Sequence, residues 1–263
     1  MRRIHPNPKE EDLFQGVTYI RDVRTSPRPI IIHVVIIDLQ ENGVRILVTP
    51  GDPKADLPLT GRKTSEFLHD FGVQVAINGD GFTPWHSNTF LDFYPHEGDP
   101  IDVIGFAASN GTVYSQDTDN EPVLYFSRTN QARFNSPIGN NYNAISGNTL
   151  LLTKGQTRNN LSSTLAPRSA IALDRANRHL ILVVVDGRQP GYAEGVSLSE
   201  LADILIFHGA YTAMNLDGGG SSTLVVEGIF GSANVLNSPI NNNIPGQERV
   251  VGNHLGIFAN PLP

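Results

Sequence analysis

The chain has 263 residues, of which 39% are hydrophobic and 17% charged, so it can bury a substantial core and its composition does not suggest disorder. The formal net charge is -7 and the 19 lysines and arginines are scattered, which excludes a basic stripe for nucleic acid. Cysteine is absent, which excludes a disulfide, a thiolate zinc site and a cysteine nucleophile.

The apolar runs of the chain are short. The longest, residues 30–37 and 180–185, fall well below the ~20 residues of a membrane-spanning helix, so no membrane segment is expected. The N-terminus, MRRIHPNPKEEDLF, passes directly from two arginines into polar residues and prolines, without the apolar segment of an export signal. As written it indicates a cytoplasmic protein, and a trimmed N-terminus would indicate a secreted one. The sequence carries no signal for the oligomeric state.

Strand patterns dominate the first third of the chain. The apolar, β-branched run 30–38 and the segment 44–48 flank an Asn-Gly turn, and together they predict a hairpin. The apolar spacing in residues 64–71 predicts a short helix that ends at Gly72, followed by a strand over residues 73–77.

Residues 78–100 show no periodicity and contain glycines, prolines and aromatic side chains. The segment is predicted to be a long structured loop. Long loops in compact domains are often functional, so it can form a wall of a substrate pocket. The alternative is a surface excursion held by Trp85 and Phe82.

Strand patterns resume after this loop, and residues 197–208 give the clearest helix pattern of the chain. The predicted strands cover residues 101–107, 123–127, 144–152, 169–173, 180–185, 213–216, 223–227 and 254–259. No internal repeat or linker is apparent. The sequence therefore predicts one α+β domain over residues 1–263, with a large, mostly antiparallel sheet system and a few helices. Residues 1–70 would supply N-terminal strands and a helix, and residues 76–258 the motif-bearing core.

Two glycine-flanked aspartates follow predicted strands. A buried-type strand ends in Asp186-Gly187-Arg188, so Asp186 and Arg188 can project from a rigid support toward one cavity. The alternative is an ordinary Asp-Gly turn with a surface arginine. Asp217 begins the second motif, Asp-Gly-Gly-Gly-Ser-Ser.

Three consecutive glycines in the second motif predict that a ligand or a side chain approaches the backbone closely. The amides of Gly218, Gly219 and Gly220 can form an anion-binding nest, and Ser221 and Ser222 add hydroxyl donors. A loose glycine turn is the alternative. The motif is not a nucleotide phosphate loop, because the Gly-Lys-Ser/Thr ending and the following helix are missing.

Four more residues are candidates for substrate binding. In Ala-Ile-Asn-Gly-Asp-Gly-Phe, Asn78 could hydrogen-bond a sugar hydroxyl, and Asp80 could bind substrate or a metal; a simple Asn-Gly turn is the alternative. Arg168 and Arg249 each precede a strand pattern and could clamp an anion, or pair with a neighbouring carboxylate.

No cofactor is expected to be required. The aromatic loop contains several metal-ligand residue types without a transition-metal spacing: His86, His96, Glu97, Asp99 and Asp102. A calcium or magnesium site built from carboxylates and carbonyls remains an alternative, since such sites leave weak marks in a sequence. Ser221 lacks the Gly-x-Ser-x-Gly elbow of a serine hydrolase.

Six segments in order resemble the phosphodiester glycosidase family. They are AINGDGF, ISGNTLLLTKG, APRSAIALD, LVVVDGR, MNLDGGGSSTL and ERVVGNHLGIF. The resemblance spans about residues 76–258. It departs from the family at Asp80-Gly81-Phe82, where relatives often place small or aromatic residues, and in lacking the cysteines of the animal enzyme.

The resemblance implies hydrolysis of a sugar 1-phosphodiester, with an N-acetylglucosamine-type sugar favoured and a small molecule or glycan as substrate. It carries over the family's site to Asn78, Arg168, Asp186, Arg188, Asp217, Gly218, Gly219, Ser221, Ser222 and Arg249. On this hypothesis the arginines 188 and 249 and the glycine amides hold the phosphate. The two aspartates divide the roles of general base or nucleophile and oxocarbenium stabiliser. The alternatives are a non-catalytic carbohydrate or cell-wall binding module and a metal-dependent phosphodiesterase.

Overall fold

The computed structural model describes residues 4–89, 92–116 and 120–263. Residues 90 and 91 of the predicted long loop lie outside the described residues. Strands predominate, and their bounds in chain order are β1 Lys9–Phe14, β2 Val17–Arg24, β3 Ile30–Asp38, β4 Arg45–Val48, β5 Leu59–Thr60, β6 Val75–Asn78, β7 Phe82–Thr83, β8 His86–Thr89, β9 Asp92–Tyr94, β10 Pro100–Val103, β11 Ala107–Ser109, β12 Thr112–Ser115, β13 Val123–Phe126, β14 Ala132–Phe134, β15 Asn143–Ser146, β16 Thr149–Thr153, β17 Gln156–Thr157, β18 Arg168–Leu173, β19 His179–Val185, β20 Thr212–Asn215, β21 Leu224–Glu227, β22 Ala233–Val235 and β23 His254–Phe258.

Two α-helices, α1 (Thr64–Phe71) and α2 (Leu198–Phe207), accompany these strands. Ser197 caps the N-terminus of helix α2: its hydroxyl accepts the Glu200 amide, while the Glu200 carboxylate accepts the Ser197 amide. The predicted α+β fold with mostly antiparallel sheets in a single domain is confirmed.

The largest sheet has eight strands in the order β1-β2-β3-β19-β18-β20-β16-β17. Alternation along β19 divides its side chains between two cores: Leu180, Leu182 and Val184 face one, and Ile181 and Val183 face the other. Helix α2 covers the second face. Because both faces are buried, the central strands are continuous apolar runs rather than alternating ones.

The first core lies between the large sheet and two five-stranded sheets. One has the order β22-β21-β6-β23-β4, and the other the order β12-β11-β15-β13-β14. Helix α1 packs on the outer face of the first of these, through Phe67 and Leu68. Among the described residues no helix is long and apolar enough to span a membrane.

The predicted hairpin of residues 30–38 and 44–48 is wrong. Strand β3 pairs with β2 and β19, whereas β4 pairs with β23 in another sheet. The turn before β4, with Gly43 at φ +90°, carries the chain from one sheet to the other. Local sequence identifies both strands and the turn, but it does not specify the partner of a strand whose two faces are apolar.

Two predicted strands are each divided in the structure. Residues 144–152 form β15 and β16, which belong to different sheets. The break falls at Gly147, where a Cβ atom would lie 2.5 Å from the Asn215 carbonyl oxygen. Residues 101–107 likewise contribute to β10 and β11. The predicted long loop contains strand β7 and the hairpin β8–β9.

Candidate functional site

The predicted site residues lie at neighbouring strand ends. Arg168 begins β18, which pairs antiparallel with β19 and β20, so this residue lies beside the ends of those two strands. Asp186 follows β19, and Asp217 follows β20 closely. Asn78 ends β6 in the facing sheet. The topology therefore brings together four motifs that are far apart in sequence.

Asn78 joins these segments with its side-chain amide. Its Nδ2 donates to the Asp217 carbonyl oxygen at 2.7 Å, and its Oδ1 accepts the Ser169 hydroxyl at 2.7 Å and the Thr223 amide at 3.1 Å. The side chain is fully buried. The expectation that Asn78 contacts a sugar hydroxyl therefore does not match its geometry, since protein groups occupy both ends of the amide.

Asp217 carries a half-buried carboxylate at the centre of the arrangement. Its backbone is fixed by the Asp217 amide donating to Gly79 O at 3.0 Å. Burial raises the pKa of its carboxyl, with the charge of Asp80 adding to this effect. Hydrogen bonds from the Ser221 hydroxyl and the Gly218 amide, together with the charge of Arg249, act in the opposite direction.

The glycine turn allows arginine side chains to approach its backbone. A Cβ atom on Gly220 would lie 2.4 Å from Arg249 Nη2, and one on Gly219, at φ +65°, would lie 2.9 Å from Arg188 Nη1. The close approach of these two arginine side chains to the backbone therefore explains why both positions are glycine. The three-amide nest is wrong in detail, because the Gly219 amide donates to Pro167 O and the Gly218 amide to Asp217.

The amide of Gly220 lies within the 3-10 turn Gly219–Ser221 and donates to no backbone acceptor outside this turn among the described residues, so its binding of an anion stays a prediction. The two following serines are each 1% exposed. Ser221 Oγ accepts from Arg249 Nη1 at 3.4 Å, whereas Ser222 Oγ is buried without a hydrogen-bond partner in the described part of the chain. The predicted role of the two hydroxyls as ligand donors thus has no direct geometric support.

Three guanidinium groups gather beside the turn. Burial lowers the pKa of Arg168 and the pKa of Arg249, and the positive charge of Arg188 contributes in both cases. Arg168 donates to the carbonyl oxygens of Thr164 and Val196. The Arg188 guanidinium is exposed and has no hydrogen bond or ion pair with a described residue. At this surface, the positive charges of the three arginines therefore outnumber the single negative charge of Asp217.

Arg249 is held in place from several sides. Its Nε donates to Asn241 Oδ1 at 3.1 Å, and its guanidinium lies 4.5 Å from the ring centroid of Trp85. Trp85 in turn stacks on Phe93 with ring centroids 5.8 Å apart. The predicted aromatic loop is therefore a wall of the site, and it is also held by the contact between Phe82 and Trp85.

Asp186 points into the protein interior. Its carboxylate is 1% exposed, and Oδ1 accepts the Ser238 amide at 2.8 Å and Asn237 Nδ2 at 3.2 Å. Counting along β19, residue 186 continues the face of Leu180, Leu182 and Val184, which is directed into the core between the sheets. The expectation that Asp186 and Arg188 point into one open cavity is therefore not met.

A buried histidine lies behind Asp186. His33 Nε2 is 3.5 Å from Asp186 Oδ2, and His33 Nδ1 is 2.8 Å from the Tyr19 hydroxyl. Burial raises the pKa of Tyr19 to about 12, so Tyr19 keeps its proton and can donate it to Nδ1. His33 Nε2 faces Asp186 Oδ2, and neither of these two buried atoms has a hydrogen-bond partner among the described residues.

Asp80 is also buried rather than open to substrate. Its carboxylate accepts the Gly81 amide, the Gly105 amide and the Ser146 hydroxyl. Burial raises the pKa of Asp80, and these hydrogen bonds oppose the shift. Its amide donates to Asn253 Oδ1 at 2.9 Å. Asp80 therefore lies behind Asp217 as a buried acidic group and has no open path to a sugar or metal.

The metal-ligand residue types of the aromatic loop make contacts with other protein groups. His96 contacts Asp92 and Asp99, and Glu97 pairs with Lys63. His86 stacks on Tyr94, and the Asp102 carboxylate accepts the Val103 amide. No group of three or more His, Asp or Glu suited to a metal occurs in the described ranges. Calcium or magnesium binding remains a prediction.

Four contributors to the site were not identified from the sequence: His33, Asn237, Ser238 and Asn253. A histidine within the apolar run of β3 is a signal that could have identified His33. Asn237 and Ser238 lie in an asparagine-rich segment without periodicity, and Asn253 lies between Gly252 and the strand β23, where its spacing gives no signal. Asn237 illustrates their importance, because its Nδ2 bridges Asp186 and the Ser222 carbonyl oxygen.

Comparison with known proteins identifies relatives of this chain. A family model described as phosphodiester glycosidase matches residues 71–258. N-acetylglucosamine-1-phosphodiester alpha-N-acetylglucosaminidase from Bos taurus is 36% identical over 74 residues, which is 28% of this chain and 14% of the bovine protein. The match thus spans a small part of that relative.

Solved structures share the fold. A hypothetical protein from Synechocystis has a TM-score of 0.64 at 19% identity, over 97% of this chain and 64% of its own. The catalytic domain of zebrafish N-acetylglucosamine-1-phosphodiester alpha-N-acetylglucosaminidase, auto-inhibited by its pro-peptide, has a TM-score of 0.61 at 20% identity, over 95% and 87%. A putative exported protein from Burkholderia pseudomallei K96243 has a TM-score of 0.61 at 15% identity, over 89% and 75%. With the family match covering most of the chain, this protein belongs to the phosphodiester glycosidase family.

Proposed function

We propose that the protein hydrolyses the glycosidic bond of a sugar 1-phosphodiester. The bond between the anomeric carbon and the phosphate oxygen breaks, water supplies a hydroxyl group to the carbon, and a free sugar and a phosphate monoester are released. The observation that carries this proposal is the half-buried Asp217 carboxylate beside the guanidinium groups of Arg188 and Arg249.

The phosphate would bind to the two arginines and the Gly220 amide. Arg188 has no carboxylate partner within the described residues, so its charge is available to an anion. Arginine forms charge-assisted, bidentate hydrogen bonds with phosphate, and such donors stabilise negative charge on a leaving group. Arg168 would act mainly through the electrostatic attraction of its positive charge, because its N–H donors already bind the Thr164 and Val196 carbonyl oxygens.

Asp217 would act at the anomeric carbon. As a carboxylate it can attack that carbon, activate water or stabilise an oxocarbenium ion. The Ser221 and Gly218 donors support the ionised form against the effect of burial. A phosphate monoester is a good leaving group, so the proposal needs no strong general acid.

Asp186 would be a positioning residue in this mechanism. Its carboxylate binds Asn237 and Ser238, and Asn237 bridges to the Ser222 carbonyl oxygen of the glycine turn. The aspartate thereby fixes the turn that carries Asp217. An N-acetylglucosamine-type sugar is favoured because the bovine and zebrafish relatives are named for that substrate.

The test is hydrolysis of a panel of sugar 1-phosphodiesters and p-nitrophenyl α-glycosides by the wild type, Asp217→Asn and the matched control Asp203→Asn, which lies exposed on α2. Each reaction is run with and without EDTA, and the released sugar is identified. Free sugar from a phosphodiester, lost only in Asp217→Asn, supports the proposal. Retained glycan affinity without turnover in the wild type would support a binding module. Release of sugar phosphate that EDTA abolishes would support a metal-dependent phosphodiesterase.

A further inference from the structure

His33 is a buried polar side chain that the proposed reaction does not use. It lies on β3, where Val35 and Ile37, which share its face, belong to the apolar core. His33 is 2% exposed, and Asp186 beside it is 1% exposed. Burying an imidazole costs free energy unless it finds a partner, and an apolar side chain at residue 33 would avoid that cost. A histidine at this position therefore indicates a specific contact.

His33 and Asp186 face each other through the one atom that each has left without a partner. His33 Nε2 lies 3.5 Å from Asp186 Oδ2, and neither atom has a hydrogen-bond partner among the described residues. The second atom of each group is already engaged: His33 Nδ1 contacts the Tyr19 hydroxyl at 2.8 Å, and Asp186 Oδ1 accepts the Ser238 amide at 2.8 Å. Each of the two remaining atoms is therefore placed to satisfy the other.

The neighbouring strands restrict both members of this pair. The Asp186 amide donates to the Ile31 carbonyl oxygen at 3.0 Å, so β3 fixes the backbone of the aspartate as well as facing its side chain. The Tyr19 ring on β2 stacks on the imidazole, with 6.1 Å between the ring centroids and 14° between the planes. The imidazole is therefore held toward Asp186 by its stacking and by its hydrogen bond to Tyr19.

Hydrogen bonds connect this pair to the turn that carries Asp217. Asn237 Nδ2 donates to Asp186 Oδ1 at 3.2 Å and to the Ser222 carbonyl oxygen at 3.0 Å. Asn237 Oδ1 accepts the Leu224 amide at 2.9 Å. Residues 222 and 224 lie at and just after the end of the Asp-Gly-Gly-Gly-Ser-Ser motif. A rotation of the Asp186 carboxylate would therefore displace the Asn237 amide and, with it, the end of the turn.

We infer that His33 is a positioning residue, which presents an Nε2 proton to Asp186 Oδ2 and thereby fixes the carboxylate that orients, through Asn237, the turn carrying Asp217. The inference rests on the proposed function. His33 is too deeply buried to touch a substrate, so it acts only through Asp186. A reacting group displaced by about 1 Å can lose about a hundredfold in rate, so the effect of His33 should appear in kcat rather than in KM.

The test measures kcat and KM on a sugar 1-phosphodiester for the wild type, His33→Leu and His33→Gln. Leucine fills the core without a donor, whereas the glutamine amide can still donate toward Asp186. Ile37→Ala is the matched control, because it makes a defect in the same face of β3 without touching the polar contacts. Urea unfolding measures the stability of each variant.

We expect kcat to fall about thirtyfold in His33→Leu with KM within about twofold, and His33→Gln to return to within about fivefold of the wild type. Ile37→Ala should lose stability and keep kcat within about twofold. An unchanged kcat in His33→Leu overturns the inference. An equal loss of kcat in Ile37→Ala, or no recovery in a folded His33→Gln, also overturns it, because residue 33 would then only fill the core.

A double-variant cycle tests whether the effect passes through Asp186. In the Asp186→Asn background, His33→Leu should lower kcat by no more than about threefold, because the carboxylate on which it acts is already absent. The full loss in that background overturns the inference. If His33→Leu does not fold, Tyr19→Phe replaces it in every comparison, since loss of the hydroxyl releases the imidazole and keeps the ring. Its expected effect is a fall of about fivefold in kcat that Asp186→Asn abolishes.

If the wild type cleaves no phosphodiester, the proposed function fails, and amide hydrogen exchange decides the inference separately. The Ser238 and Leu224 amides, which are bound to Asp186 and Asn237, should exchange about tenfold faster in His33→Leu and not in Ile37→Ala. Unchanged exchange, or the same acceleration in both variants, overturns the inference.

Discussion

The two Asp-Gly turns of the molecule look alike in sequence and differ in surroundings. Asp186 and Asp217 each follow a buried strand of the same sheet and precede glycine. The first carboxylate is 1% exposed and binds an amide and a side chain from residues 237 and 238. The second is half-buried and lies among arginines. The same local motif thus serves as an anchor in one turn, and in the other it carries the carboxylate that we propose to react.

The difference arises from groups that are distant in sequence. The donors to Asp186 come from the distant residues 237 and 238, so this carboxylate holds two segments together. The donors to Asp217 come from its own turn, and its carboxylate also lies near the charge of Arg249. Four substitutions test this contrast.

The largest effect is expected for Asp217→Asn. The amide keeps the shape of the side chain and removes the charge, so kcat should fall about a thousandfold with KM little changed. Because burial raises the pKa of the Asp217 carboxyl, its ionised form disfavours the folded state at neutral pH, and the variant should melt no lower than the wild type. Steady-state kinetics and thermal melting measure both. Activity near the wild-type level would remove Asp217 from the reaction.

Asp186→Ala should act mainly on stability. The substitution leaves the buried Ser238 amide without its acceptor and removes one of the two acceptors of Asn237 Nδ2, which costs about 3 kcal/mol of unfolding free energy. Urea unfolding measures the loss. Asp186→Asn is the control, since its Oδ1 can still accept the Ser238 amide. If that variant stays fully folded yet loses activity as completely as Asp217→Asn, both aspartates take part in the reaction. The distinction between an anchoring Asp186 and a reacting Asp217 would then be wrong.

Arg188→Ala should weaken substrate binding. Loss of an unpaired guanidinium that binds phosphate is expected to raise KM about tenfold. Arg133→Ala, an exposed arginine on β14, is the matched control and should not change KM. Steady-state kinetics on the phosphodiester substrate measure KM for both variants. An unchanged KM in Arg188→Ala would mean that the phosphate binds elsewhere.

Ser221→Ala should give the smallest effect, a shift in pH dependence. The Ser221 hydroxyl lowers the pKa of Asp217, so its removal raises that pKa further. If Asp217 reacts as a carboxylate, activity is lost as pH falls through this pKa, and the acidic limb of the kcat/KM profile should move to higher pH. Ser232→Ala in the exposed β21–β22 turn is the control. An unmoved limb would indicate that another group controls the profile.

The sequence was sufficient for the fold class, for most central strands and for both helices, because apolar runs and capping residues are local signals. It was insufficient for strand pairing: β3 and β4 are separated by a turn typical of a hairpin yet enter different sheets. The same limit applies to the site. Asp80 and Asn78 carry polar side chains next to glycine and resemble exposed turn residues, but partners from residues 146, 169 and 223 enclose them.

The orientation of Asp186 could have been predicted. Counting by two along β19 from Leu180 assigns residue 186 to the core face, and the same count in β3 assigns His33 to that face. The roles of Asn237 and Asn253 could not have been predicted, since each depends on a tertiary contact that no sequence spacing encodes.

The hydrogen bonds of the Asn78 side-chain amide hold some segments of the site together and leave another segment free to change in sequence. It ties the Ser169 hydroxyl to the backbone of residues 217 and 223, and none of its hydrogen bonds reaches the segment 240–247. Insertions or exchanges in that asparagine-rich segment would reshape the surface beside Arg249 while Asp217 keeps its support. Under the proposed function, the range of substrates can therefore change while the support of Asp217 stays the same.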